Sequence, residues 1–186
     1  IIFVSILFSL PSIIGSWIFA IVYGKDLKRL PVKNIAGYWM KAALLFNALS
    51  ALGVFALAAM MATKMIHDNW YLASVYFFLH FQYNGWFFFS CMGLFMERIA
   101  LLYTDTKRLK TIFWLFGAAC IPAYFLSALW LPIPLWLYCV VIMGALSQSL
   151  GWILLLRVIL KKKKLFYHQQ TKVLSFNMNK EENKIE

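Results

Sequence analysis

Long apolar runs separated by short charged stretches dominate the chain. Five runs, at about 1–23, 37–63, 70–96, 111–131 and 134–157, each hold the roughly 20 mostly apolar residues a helix needs to cross a bilayer core. Backbone polar groups in lipid must be satisfied within the segment, so these runs predict helices. Pro11 is expected to kink the first and Pro122 the fourth, each removing one N–H from its helix. Pro132 and Pro134 mark a tight turn between the last two. The pattern predicts an all-α fold, a polytopic transmembrane helical bundle of five spans. Residues 1–160 form the membrane domain and 161–186 a basic, polar tail.

Composition sharpens the class. Hydrophobic residues make up 63% of the 186 and aromatic residues 18%, against roughly 45–50% apolar in soluble domains. One soluble core of this size cannot hide that much apolar surface. The net charge of +11 then gives direction. Lys25, Lys28, Arg29, Lys33 and Lys41 follow the first run, and Arg98, Lys107, Arg108 and Lys110 follow the third. Arg157, Lys161 to Lys164, Lys172, Lys180 and Lys184 follow the fifth, while Lys64 alone falls on the opposite side. The positive-inside rule makes the crowded side cytoplasmic, with Ile1 outside and Glu186 inside a cell (inner or plasma) membrane. The Lys161 to Lys164 run anchors this topology and would attract anionic lipid headgroups at about 1 kcal/mol per charge. No nucleic-acid motif accompanies it. The chain opens inside an apolar run without a basic lead, so further N-terminal helices, or other membrane subunits, are expected to complete it.

Several chemistries lack their residues. There is no Gly-rich phosphate loop, no His-Glu-x-x-His and no nucleophile elbow. No carboxylate lies inside a span, and Glu97 sits at the cytoplasmic border, which weakens an ion-coupled transporter. Cys91, Cys120 and Cys139 fall at different depths, too far apart to bridge, and are expected to be buried, inert thiols.

The third run carries the polar chemistry. His80, Gln82, Tyr83 and Asn84 cluster at mid-depth, where polar groups face a bundle interior or a cavity rather than lipid. At about 100° per residue, Tyr76, His80, Tyr83, Asn84, Phe87 and Cys91 share one stripe, and Gln82 points to the other side. Asn47 and Ser50 in the second run and Ser147, Gln148 and Ser149 in the fifth lie at comparable depth. Ser147 with Gly151, and Ala43 with Asn47 and Ala51, form small-residue rows that allow helices to approach closely. In one reading His80, Asn84 and Gln148 only hydrogen-bond helix to helix. In the other, His80 is a metal or haem axial ligand, the role imidazole fills most often.

The string Leu79-His80-Phe81-Gln82-Tyr83-Asn84 resembles the His-Phe-His-Tyr stretch on a late transmembrane helix of haem–copper oxidase subunit I. The chain is also similar to NnrS-type haem–copper membrane proteins linked to nitric oxide tolerance. The resemblance implies that His80 is the axial ligand of a haem or the ligand of a copper ion, with Tyr83 or Asn84 tuning the site by a hydrogen bond. It implies that Trp86, Phe87 and Phe88 line the macrocycle and that Gly93 matches a following small residue. Gln82 stands where the family has its second haem-ligating histidine, and the copper centre's His-His pair and His-x-x-x-Tyr motif are absent. Two functions are expected: a haem- or copper-binding protein of respiratory or nitric oxide chemistry, or a non-catalytic membrane subunit, sensor or small-solute channel.

Overall fold

The computed structural model describes residues 2–29, 34–102 and 105–182; Lys33, Lys184 and the side chains of 2–10, 12–13, 101–102 and 162–182 lie outside the described residues. Every regular element among the described residues is helical, with no strand. Helix α1 spans Ile2–Arg29, α2 Ile35–Thr63, α3 Asp68–His80, α4 Phe88–Leu102, α5 Thr106–Ala123 and α6 Leu135–Glu182. A π-helical segment, Phe81–Phe87, joins α3 to α4 without a break, and a 3-10 turn, Tyr124–Ala128, extends α5. Three stretches, Ile35–Thr63, Thr106–Ala128 and Leu135–Lys161, are long and apolar enough to cross a membrane. The chain therefore has the helices of an integral membrane protein.

Local chemistry sets the helix ends. Asn34 caps α2, its side-chain oxygen accepting from the Ala36 and Gly37 N–H groups. Asp105 caps α5 in the same way, accepting from Arg108 N–H at 3.1 Å. Helix α1 runs through Pro11, whereas α5 gives way to the 3-10 turn directly after Pro122 and Ala123. The predicted turn at Pro132 and Pro134 separates α5 from α6. Helix α6 continues well past the apolar run, so the backbone of the basic tail is helical to Glu182, a length of roughly 72 Å.

Helix α2 is the hub, packed against α1, α3, the π segment, α4 and α5, while α6 packs on α5. Its inward face carries Ala43, Asn47 and Ala51, the row read from the sequence, together with Trp39, Phe46 and Ser50. Trp39 is fully buried, with the rings of Phe88, Phe89, Phe113 and Phe116 at 6.4, 5.1, 5.3 and 5.8 Å between centroids. Aromatic pairs at such separations each add about 0.5–1.5 kcal/mol beyond their burial. Between α5 and α6 the small-residue row does the fitting. A Cβ on Gly144 would stand 2.9 Å from Pro122 Cγ, and one on Gly151 2.9 Å from Phe116 Cε2. Ser147, between them, donates to Leu115 O at 3.1 Å. The outer face of α6 is apolar and bare, with Leu135, Trp136, Met143 and Leu146 each at least 60% exposed, as lipid contact requires.

Candidate functional site

His80 ends α3 and faces α5, and it is 5% exposed. Its Nε2 lies 2.9 Å from the carbonyl oxygen of Cys120. A carbonyl only accepts, so Nε2 carries the proton. That leaves Nδ1 as an acceptor, and the Asn84 amide donates to it at 3.2 Å. Cys120 Sγ in turn donates to Asn84 O at 3.7 Å. The three residues close a ring of hydrogen bonds in which a neutral imidazole has both nitrogens satisfied.

Two breaks in α-helical geometry supply this ring. The Tyr124 N–H bonds to Ile121 O at the start of the 3-10 turn instead of reaching back four residues to Cys120 O. The Cys120 carbonyl is thereby released to His80. On the other helix the Phe88 N–H reaches back five residues to Tyr83 O, past Asn84 O, which takes the Cys120 thiol. Gly85 makes the wide π turn possible beside α2, because a Cβ there would stand 2.5 Å from Phe46 Cβ.

The opposite side of the same helix holds a second polar chain. Ser50 Oγ lies 2.9 Å from Gln82 Oε1 and 2.7 Å from Asn47 O, and Asn47 Nδ2 donates to Ser16 Oγ at 2.7 Å. Thus α1, α2 and the π segment are tied at one depth. His80 and Gln82 face opposite neighbours, as the spacing predicts. Ser50 is 2% exposed and has one proton for two acceptors. Ser50→Ala is expected to strand Gln82 Oε1 and cost about 1 kcal/mol, read as a lower midpoint in detergent unfolding. Ser50→Thr keeps the hydroxyl and is expected to cost less.

The rest of the predicted stripe separates. Each π turn adds about one residue of register, rotating the downstream residues by about 100° from the α-helical expectation. Tyr83 is 63% exposed and its hydroxyl makes no hydrogen bond, and Phe87 is 62% exposed. Tyr83 therefore does not join His80 and Asn84. Cys120 is buried, but Cys91 and Cys139 are exposed on the outside of the bundle, and all three are free thiols. Gln148 borders the same cavity as His80 and Asn84 but bonds to neither. Ser16, Trp39 and the Cys120 backbone were not singled out by the sequence. Of these only the carbonyl had a signal, the nearby Pro122.

The cavity beside His80 measures about 220 Å³ and is walled by Phe88, Phe116, Ala123, Ser127 and Gln148. Pockets that enclose drug-sized ligands run to about 300–1,000 Å³, so this one falls short of a macrocycle. Among the described residues, no three His, Cys, Asp or Glu side chains come together as a metal site. As arranged, both imidazole nitrogens are engaged by protein groups. What the arrangement does is hold α5 against α3 and α4. Compared with known proteins, the chain matches no family, no curated protein and no solved structure.

Proposed function

We propose that the chain is a five-span membrane bundle, N-terminal end outside and basic tail cytoplasmic, acting as a non-catalytic membrane subunit of the cell membrane. Its mid-membrane polar residues fasten helices rather than bind a cofactor. The observation that carries this reading is the His80 ring, whose Nε2 and Nδ1 are both taken by protein groups. Length supports the two further spans: α1 has 28 residues and Asp68–Leu102 forms one continuous helical stretch, each longer than a bilayer core at 1.5 Å per residue. The segregation of basic residues supports the orientation, with the Lys161 to Lys164 run held at anionic headgroups.

Two measurements test it. With the native cysteines replaced, Lys64→Cys and Leu131→Cys are expected to react with an impermeant maleimide in intact cells. Asp26→Cys and Lys107→Cys are expected to react only after permeabilisation; outside labelling of either overturns the orientation. The purified protein is expected to be colourless, with a spectrum unchanged by His80→Gln. A Soret band lost in that variant would replace this reading with the oxidase-like one.

A further inference from the structure

The cytoplasmic ends of α1, α2 and α4 form two adjoining open hollows that the His80 site does not use. The deeper-reaching one, about 420 Å³, runs between α1 and α2. Ala20, Ile21, Leu44 and Leu45 line its membrane end, and Lys25, Lys28 and Lys41 its outer end. The other, about 410 Å³, shares Lys28 and Lys41 and extends to Asn34, Tyr23, Tyr38 and Glu97. Among the described residues none of these three lysines forms an ion pair, and neither does Glu97; Asp26 is engaged by Arg29 at 3.7 Å.

We propose that this paired cavity is a binding site for one anionic phospholipid of the cytoplasmic leaflet. Its phosphate lies between Lys28 and Lys41, one acyl chain follows the Ile21–Leu44 groove, and a hydroxylated headgroup fills the second cavity. Charge complementarity selects the occupant. Three lysines without an ion pair line one end of a groove that turns apolar within one helical turn, which matches the layout of a lipid and not that of a free anion. Basic pockets between transmembrane helices on the cytoplasmic side bind acidic headgroups for this reason. The second cavity sets the headgroup chemistry. Glu97 accepts hydrogen bonds and repels a further anion, while the Tyr23 and Tyr38 hydroxyls and the Asn34 amide can donate. Asn34 has its side-chain oxygen committed to the α2 cap and its amide nitrogen free. A glycerol-type head with vicinal hydroxyls satisfies both kinds of group.

The inference rests on α1 and α2 crossing the bilayer, as proposed above. Native mass spectrometry of the full chain, released from nanodiscs of mixed phosphatidylglycerol and phosphatidylcholine, tests it. One phosphatidylglycerol is expected to stay bound at energies that strip phosphatidylcholine. Each of Lys28→Gln and Lys41→Gln is expected to weaken retention about five-fold, and the pair about twenty-five-fold. Glutamine at Lys161 to Lys164 leaves this bound lipid in place; loss of the lipid there instead locates it at the tail and overturns the proposal. Displacement by millimolar glycerol phosphate would also overturn it, because the acyl groove would then contribute nothing. Leu45→Asp, at a 66%-exposed groove position, gives a second check, expelling the lipid while the lysines remain. The readout does not depend on which leaflet the lysines face, so a failed topology and a failed lipid site give different results.

Discussion

Replacing His80 with alanine is expected to destabilise the bundle by about 2–4 kcal/mol, read as reversible unfolding in mixed micelles. Two effects add. Hydrogen bonds between transmembrane helices are worth about 0.6 kcal/mol on average and at most about 1.7. Losing those to Cys120 and Asn84 thus accounts for about 1–3 kcal/mol. The imidazole also packs edge-on to the rings of Phe81 and Tyr124, at 5.1 and 6.0 Å, and its removal enlarges a cavity already present. The conservative variants separate the two bonds. Glutamine carries an N–H to the Nε2 position and keeps the Cys120 carbonyl paired. Asparagine reaches only the Nδ1 position and leaves that carbonyl orphaned. Destabilisation is therefore expected to fall in the order alanine, asparagine, glutamine. A double-mutant cycle between His80→Ala and Asn84→Ala should give a coupling of about 0.5–1 kcal/mol. Additive losses would mean that the 3.2 Å contact is not an energetic link, and the ring would fail as an account of why His80 is there.

The same residues show how far the sequence reaches. The apolar runs locate each helix, since length and hydropathy are properties of a segment by itself, but not its end: α6 continues to Glu182, well past its run. The opposition of His80 to Gln82 and the Ser147–Gly151 row are legible for the same reason: each comes from helical spacing alone. What spacing misses is where the helix stops being α. The π segment has no residue signature in Phe81–Phe87. Its turn lies on Phe46 at Gly85, where a Cβ would not fit, a contact between helices distant in the chain. Tyr83 is misplaced by that turn, and Cys91 downstream with it. The acceptor for His80 is a backbone carbonyl, which every residue carries and no residue type marks. Pro122 signals a broken helix, but not that the group set free is on Cys120. The lipid groove shows the opposite case. Lys25, Lys28 and Lys41 read as topology anchors until the helices bring them to the mouth of one cavity.

Glycine packing gives a prediction in which the kind of obstructing atom fixes the size of the effect. A Cβ on Gly53 would stand 2.6 Å from Ser74 O and 2.9 Å from Phe78 N, both backbone atoms of α3. Ordinary contact between carbons lies at about 3.5–4.0 Å, so Gly53→Ala forces α2 and α3 apart along their whole interface. On Gly85 the obstacle is Phe46 Cβ, anchored to its own helix and unable to swing clear. Each alanine is expected to cost about 3 kcal/mol, the upper end of the overpacking range. Gly151→Ala meets the ring edge of Phe116, a side chain rather than backbone but itself packed among Trp39, Phe88 and Trp152, and is expected to cost about 2 kcal/mol. A Cβ on Gly117, inside α5, would have nothing within 4 Å; Gly117→Ala gains helix propensity and is expected to stabilise by about 0.5–1 kcal/mol. Unfolding midpoints of the four variants in one detergent should therefore fall on both sides of the parent. Because Gly85 shares the π segment with Gln82 and Asn84, its alanine variant should also weaken both polar networks. In that background Ser50→Ala and His80→Ala are expected to lose less than they do alone. Equal losses in the two backgrounds would show that the π turn and the polar ties are held independently.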